Sequence, residues 1–175
     1  MLHHKEVIFC VDENNIPIVP QTKGYAHKQG IWHRTSQVWV FNRKQEILCH
    51  LRSALVHVAQ NKWDPNFGGH AKAGDSAITT ALAELKEESG IIVTEQSLVH
   101  IMENKYVPKK EYVSVFGLQW DGDWKDIKFQ EEEVTEVKWI RLLDVEKCYL
   151  NLDPTWTQVG HELKVISHLR SIKTV

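Results

Sequence analysis

Apolar positions recur at helical spacing between Ser76 and Gly90, and this stretch predicts the central helix of the fold. Projected at roughly 100° per residue, four aliphatic side chains fall on one side and three glutamates on the neighbouring arc. These are Ile78, Ala81, Leu82 and Leu85, and Glu84, Glu87 and Glu88. Ser76 is suited to cap the first backbone amides, and Gly90 is suited to end the helix in a left-handed turn. We therefore expect one face of this helix to pack on a core and the other to meet a cation.

Runs of apolar or alternating residues predict the strands. They are residues 6–11, 37–41, 46–52, 111–120 and 134–140, and residues 97–107 are predicted as a strand with a loop. The polar turn at 42–45 predicts a hairpin between the second and third strands. A final helix is predicted from Asp153 onward, with Pro154 in its first turn. Strands mixed with helices in this order predict an α/β fold.

Composition narrows the choice of partners and compartment. The chain has 21 Lys and Arg against 23 Asp and Glu, which argues against a broad nucleic-acid surface. Cys10, Cys49 and Cys148 are widely spaced and form no C-x-x-C pair, which fits free thiols in a reducing cytoplasm. No apolar run approaches the length of a signal peptide core or a membrane span. With 175 residues, a single domain over residues 1–175 and a cytoplasmic location are expected.

The three glutamates repel one another and the negative end of the helix dipole. A solvated surface is the ordinary explanation for such a cluster. Here a loop containing Gly69 and Gly74 precedes the helix, and its backbone is able to turn tightly and approach a ligand. Crowded carboxylate oxygens beside such a loop are suited to Mg²⁺ or Mn²⁺.

Residues 69–91, GHAKAGDSAITTALAELKEESGI, resemble the signature of the Nudix hydrolase family, G-x5-E-x7-R-E-U-x-E-E-x-G-U, where U is aliphatic. Seven positions match in register: Gly69, Glu84, Leu85, Glu87, Glu88, Gly90 and Ile91. Asp75 stands where the family has Glu, and Ala83 stands where it has Arg, so the ion pair that braces the loop in the family is not formed. The resemblance implies a Nudix-type α/β/α sandwich, with a mixed β-sheet between helices.

The segment from His27 to Arg34, H-x-x-G-x-W-H-R, resembles the Nudix branch that includes isopentenyl diphosphate isomerase. In that isomerase, histidines and two acidic residues bind a divalent metal. The resemblance therefore implies a second metal site here, made of His27, His33, His70, Glu131 and Glu133. Hydrogen-bonded structural roles for His27 and His33 are an equally expected alternative.

The isomerase also has a catalytic cysteine directly before its Gly-His pair. Gly68 stands at that position in this chain, and glycine has no side chain with which to move a proton. None of the three cysteines is close to Gly68 in sequence. Hydrolysis is therefore favoured over isomerisation.

The resemblance implies hydrolysis of a nucleoside diphosphate derivative or another organic diphosphate, with Mg²⁺ or Mn²⁺ as cofactor. The implied ligands of this metal are Gly69, Glu84, Glu87 and Glu88, and the candidate catalytic carboxylates are Glu84, Glu87, Glu88 and Glu132. Glu87 or one of residues 131–133 is expected to act as general base. Arg34 and Lys105 are the candidate contacts to substrate phosphate.

Three function classes stay open. The first is a metal-dependent diphosphohydrolase, and the second is an isomerase that would need a replacement for the missing cysteine. The third, suggested by Asp75 and Ala83, is a non-catalytic Nudix module that binds a ligand without turnover. The expected partner is a small-molecule diphosphate, without a nucleic acid polymer or a membrane, and a homodimer is one option for assembly.

Overall fold

A mixed β-sheet between helices forms the framework of the computed structural model, which describes residues 5–56, 58–129 and 132–172. The strands are β1 (Val7–Ile8), β2 (Gln21–Thr22), β3 (His33–Phe41), β4 (Glu46–Arg52), β5 (Trp63–Asp64), β6 (Phe67–His70), β7 (Leu98–Tyr106), β8 (Glu111–Gln119) and β9 (Val134–Arg141). The helices are α1 (Lys23–Gln29), α2 (Ala77–Ser89), α3 (Leu142–Leu150) and α4 (Glu162–Ser171). No helix in these ranges combines the length and the apolar character that a membrane crossing requires.

The sheet divides at one edge of β3. β3 pairs in parallel with β8 along its whole length, from His33 opposite Glu111 to Phe41 opposite Gln119. Its other edge is shared, because β4 pairs with it at Phe41 while β6 pairs with residues 35–38. β4 continues away from β3 and pairs with β9. The division brings the short strand β6 beside α2, where the predicted metal ligands lie.

Alternating side chains of the central strands supply two cores. On one face, Val38 and Val40 pack with Phe67 of β6 and Leu85 of α2. On the other face, Trp39 and Phe41 pack with a cluster from α3 and α4 that includes Val145, Val165 and Ile166. Helices therefore cover both faces of a mixed sheet, and the predicted α/β/α sandwich is confirmed.

The central helix begins and ends as its sequence predicts. The Ser76 hydroxyl accepts a hydrogen bond from the Thr79 backbone N–H at 3.1 Å. Gly90 ends the helix with a φ of 71°, in the left-handed region where glycine is favoured. Ala81 and Leu85 are fully buried, so the aliphatic side of α2 is the side that packs on the sheet.

Five other elements differ from the prediction. β3 begins at His33 instead of residue 37, because its ladder with β8 extends to Glu111. The first strand is limited to Val7–Ile8, and α1 and α3 had no predicted counterpart. The predicted helix start at Asp153 is wrong: the Asp153 carboxylate accepts hydrogen bonds from the backbone N–H and the hydroxyl of Thr155 in a local turn. Residues 155–157 then run beside β5, and α4 begins at Glu162.

The cap of α2 allows a direct test of this helix. Ser76→Ala removes the acceptor of the Thr79 N–H and is expected to lower the free energy of unfolding by about 1 kcal/mol. Ser76→Asp keeps an acceptor at the same position and is expected to stay near the wild-type value. Urea denaturation of the three proteins measures the difference, and an equal loss in both variants would contradict the capping role.

Candidate active site

Glu84 of α2 lies directly against the backbone of β6. A Cβ atom at Gly69 would be 2.4 Å from Glu84 Oε1 and 2.6 Å from Oε2, closer than any real side chain approaches. Glycine at 69 is therefore required for the Glu84 carboxylate to reach this position. The contact joins two of the predicted metal ligands, one from the strand and one from the helix.

Glu88, one helical turn later, is held by the same strand. Its Oε2 atom accepts a hydrogen bond from the Gly68 backbone N–H at 2.8 Å. Gly68 in turn has no room for a side chain, because a Cβ there would lie 2.3 Å from the Ser36 carbonyl oxygen. The backbone of β6 thus fixes the positions of both buried carboxylates.

Both carboxylates are difficult to ionise where they lie. Burial, with the added charge of Glu87 and Glu6, raises the pKa of Glu84 to about 7, although Lys72 offsets part of the rise. Burial and the neighbouring Glu84 raise the pKa of Glu88 well above its usual range. Two buried like charges favour any partner that neutralises them. The oxygen donors present therefore fit a hard divalent cation.

The remaining predicted carboxylates lie around this pair. Glu87 is exposed, and its charge acts on Glu84. Glu133 is half-buried, and its charge raises the pKa of both Glu84 and Glu88. Glu132 is exposed in the turn before β9, and Glu131 lies outside the described residues. Of Glu132 and Glu133, the two described residues of this segment, Glu133 is therefore the better placed beside Glu84 and Glu88.

The loop before α2 is braced by the N-terminal segment. Lys72 Nζ lies 4.0 Å from Glu6 Oε1 and 3.9 Å from Glu87 Oε1. The Phe9 N–H donates to the Ala71 carbonyl at 2.8 Å. At the position of the family's arginine, Ala83 instead lines an open groove of about 400 Å³ next to Ile92. Lys72 thus supplies a cation near the glutamates, but from the loop instead of from the helix.

Three histidines form a second cluster, as the sequence predicts. The ring nitrogens of His27, His33 and His70 lie within 4.8 Å of one another, and His27 Nε2 is 2.9 Å from His70 Nε2. His33 donates from Nδ1 to the Ile31 carbonyl at 2.8 Å, which leaves its Nε2 as a lone-pair donor. That Nε2 atom is buried and has no hydrogen-bond partner among the described residues. Burial lowers the pKa of both His33 and His70, so the imidazoles are neutral and able to bind a metal.

The acidic neighbour of this cluster is Glu111, which sequence reasoning missed. Glu111 Oε1 lies 3.8 Å from His33 Nε2, and burial raises the pKa of the Glu111 carboxyl. The charge of Glu133, which was predicted here, acts on Glu84 and Glu88. The available signal was alternation: Glu111 stands on the same face of its strand as Val113 and Val115, which are fully buried.

Arg34 and Lys105, the predicted phosphate contacts, hold an N-terminal turn in this structure. Arg34 donates to the side-chain and backbone oxygens of Asn15 at 2.8 and 2.9 Å. Lys105 donates to the Glu13 carbonyl at 2.8 Å and lies 4.7 Å from the centre of the Trp32 ring. Both cations are therefore occupied in binding the turn, and the prediction of phosphate contact gains no support from their positions.

The two clusters lie back to back on β6. Gly69 faces Glu84 and α2, and the next residue, His70, points to the opposite face of the sheet, where His27 and His33 lie. One strand therefore joins an oxygen-rich site on one face to a nitrogen-rich site on the other.

Comparison with known proteins identifies the family of this chain. A family model described as a NUDIX domain matches residues 32–159. The chain is 26% identical over 156 residues to isopentenyl-diphosphate Delta-isomerase 2 of Photorhabdus laumondii, covering 87% of this chain and 86% of that protein. It is 27% identical over 153 residues to Nudix hydrolase 3 of Arabidopsis thaliana, covering 79% of this chain but 19% of that protein.

Solved structures show the same fold at low sequence identity. The crystal structure of DR0079 from Deinococcus radiodurans has a TM-score of 0.76 at 14% identity and covers 93% of this chain and 98% of its own. The Nudix domain of NrtR from Shewanella oneidensis, solved with ADP ribose, has a TM-score of 0.60 at 16% identity. The match covers 86% of this chain and 97% of that one.

The buried carboxylates predict how stability depends on pH. The folded protein holds the Glu84 proton more tightly than the unfolded chain does, so metal-free protein is expected to lose stability as the pH rises from about 4.5 towards 7. Glu84→Gln removes this cost and is expected to stabilise metal-free protein at pH 8, by at most about 3 kcal/mol, but not at pH 4.5.

Urea denaturation in a chelator at both pH values measures the effect. Glu95→Gln, an exposed glutamate in a turn, is the matched control and is expected to change stability at neither pH. If Glu84→Gln gave no gain at pH 8, the unfavourable burial of this carboxylate would be refuted.

Proposed function

This chain belongs to the Nudix family, and we propose that it is a metal-dependent hydrolase that cleaves the diphosphate linkage of a nucleoside diphosphate derivative or another organic diphosphate. One observation carries the proposal: Glu84 and Glu88 are half-buried on successive turns of α2, and both carboxylates lie against the glycine backbone of β6. A structural role alone does not explain two neighbouring carboxylates whose pKa values are both raised, that of Glu84 by burial and by Glu87, and that of Glu88 by burial and by Glu84.

Glu84, Glu88 and the Gly69 backbone, with Glu87 at the exposed edge, would hold Mg²⁺ or Mn²⁺. When bound there, such a cation would neutralise charge on phosphoryl oxygens and lower the pKa of a water molecule. Gly68 positions Glu88 through its N–H, so the carboxylate keeps one orientation. Glu87 or Glu133 would accept the proton of the attacking water, because both carboxylates lie beside the buried pair.

Similarity to named proteins supports a nucleotide-type substrate without identifying it. Relatives include proteins named Nudix hydrolase, and the NrtR domain binds ADP ribose. Small organic diphosphates are therefore the appropriate class for a substrate panel.

Isomerisation is a second candidate, favoured by the histidine cluster and by the similarity to isopentenyl-diphosphate isomerases. The missing cysteine argues against it. Gly68 occupies its position, and a Cβ there would clash with the Ser36 carbonyl. Cys10 forms a backbone bridge with His33, but its side chain is fully buried, and burial raises the pKa of its thiol. The hydrolase therefore remains the better explanation.

The histidine cluster would hold a second divalent metal. His27, His33 and His70 supply three ring nitrogens, and Glu111 supplies an oxygen beside the unpartnered Nε2 atom of His33. This donor set suits Zn²⁺ or Mn²⁺ better than Mg²⁺. The metal would order the segment around α1 relative to β6.

Loss of one buried glutamate tests the hydrolase. Glu88→Gln is expected to reduce Mg²⁺-dependent hydrolysis at least about a hundredfold, because only one of the two carboxylates that would hold the cation can still carry a charge. The assay is a panel that includes ADP-ribose, UDP-glucose and isopentenyl diphosphate, scored separately for phosphate release, diphosphate cleavage and double-bond migration.

Glu95→Gln is the matched control and should keep wild-type activity. Full activity of Glu88→Gln, or double-bond migration by the wild-type protein without phosphate release, would contradict the proposed hydrolase. Binding of a probe without any turnover would indicate a ligand-binding module instead.

Removal of one histidine tests the second metal. His27 is exposed, so His27→Ala is expected to leave the fold intact while it reduces the Zn²⁺ or Mn²⁺ retained after dialysis. His100→Ala changes an exposed histidine on β7 and should retain as much metal as the wild type. Elemental analysis measures the metal, and equal content in all three proteins would refute the site.

A further inference from the structure

The sheet face that carries His33 continues as a strip of polar side chains. Thr35 of β3 lies opposite His70 on β6 and opposite Val113 on β8, and Val113 lies opposite Asn104 on β7. Gln37 follows Thr35 on the same face of β3. We call Thr35, Gln37, Asn104 and His161 the polar strip.

His161 links the two amides of the strip. Its Nε2 lies 2.9 Å from Gln37 Oε1, and its Nδ1 lies 3.1 Å from Asn104 Nδ2. Because Gln37 Oε1 only accepts and Asn104 Nδ2 only donates, His161 carries its proton on Nε2. Burial lowers the pKa of His161, which favours this neutral form.

The hydrogen bonds of His161 determine which atom of each amide stays available for a further hydrogen bond. The Gln37 NH₂ group is left as a donor and Asn104 Oδ1 as an acceptor, with no hydrogen-bond partner for either among the residues that the structure describes. Thr35 lies on β3 between His33 and Gln37, and its hydroxyl oxygen is also buried without a hydrogen-bond partner among the described residues.

Two members of the strip, Gln37 and Asn104, are partly exposed. α3 and α4 cover the other end of β3, where Trp39 and Phe41 are buried. Gln37 lies on a central strand and yet is only half-buried, as is Asn104. Donors and acceptors on a central strand would be unfavourable here unless a ligand or water paired with them.

We propose that the polar strip is a subsite that binds a hydroxyl-bearing organic moiety of the substrate, of the sugar or nucleoside type. The proposal rests on the proposed function, because it places the non-reacting part of the diphosphate substrate on the sheet face opposite α2. Gln37 and Asn104 make the contacts, and His161 is a positioning residue that fixes the orientation of both amides.

Chemistry favours hydroxyl groups over a hydrocarbon at this place. A hydroxyl group both donates and accepts, so the hydroxyl groups of a sugar pair equally well with the Asn104 oxygen and with the Gln37 NH₂ group. A hydrocarbon would bury these groups unpaired, at a cost that discriminates strongly against such a ligand.

Binding measurements on paired variants test the subsite. Gln37→Met and Asn104→Leu keep the approximate volume of each side chain and remove its amide. Calorimetry with Ca²⁺ in place of Mg²⁺, and with the ligand checked for integrity afterwards, uses ADP-ribose, UDP-glucose and isopentenyl diphosphate as probes. We expect each variant to lose about tenfold in affinity for the two sugar-bearing probes and to bind isopentenyl diphosphate at least as tightly as the wild type does.

Controls separate a local effect from a structural one. Gln96→Met makes the same chemical change on the exposed turn before β7 and should alter no affinity. His161→Phe should lower the affinity for the sugar-bearing probes selectively, whereas a structural defect would lower all three affinities alike. Unchanged affinity of Gln37→Met and Asn104→Leu, an equal loss for all probes, or no binding of either sugar-bearing probe to the wild type would overturn the subsite.

The two proposals fail in different ways. Hydrolysis by the wild type with Mg²⁺, but without selective loss in these variants, would overturn the subsite and keep the hydrolase. Selective loss of binding without hydrolysis would support the subsite and overturn the hydrolase.

Discussion

The close approach of α2 to β6 is the constraint on which the site depends. Glu84 occupies the volume that a side chain at Gly69 would need, and Glu88 accepts from the Gly68 N–H. Gly68 itself lies so close to Ser36 of β3 that the packing of β6 between β3 and α2 leaves no room for an added methyl group at either glycine. Two consecutive glycines therefore set both the position and the burial of the carboxylates. The same packing excludes a cysteine at residue 68, so it favours hydrolysis over isomerisation.

Strand alternation gives the two faces of β6 different chemistry. Gly69 contributes to a site of carboxylate oxygens under α2, whereas His70 contributes to a site of imidazole nitrogens on the other face. Hard oxygen donors prefer Mg²⁺ and imidazole nitrogens prefer Zn²⁺, so the two sites need not compete for one metal. The polar strip begins where the histidines end, so a ligand there would lie beside the second cluster.

Local signals predicted the central helix, and long-range contacts determined what was missed. Ser76, Gly90 and the aliphatic stripe lie within one helix, so the sequence contains the whole pattern. The family resemblance placed the three histidines together. Glu111 was missed because its contact with His33 depends on the parallel register of β3 and β8, which no local pattern reveals. Arg34 and Lys105 likewise look like free cations until the fold brings Asn15 and Glu13 to them.

Long-range contacts also explain why Ala83, in place of the family's arginine, is compatible with the observed positions of Glu84 and Glu88. In this chain the loop between β6 and α2 is tied by backbone hydrogen bonds: Phe9 donates to Ala71, Ala71 donates to Arg34, and Ala73 donates to Val7. Three such bonds are worth about 0.5–1.5 kcal/mol each, whereas an exposed ion pair such as Lys72 with Glu87 contributes at most about 1 kcal/mol. The backbone bonds do not require an arginine on α2. The N-terminal segment therefore replaces the family's ion pair as the brace of the loop, and the loss of that pair does not by itself imply loss of the carboxylate geometry.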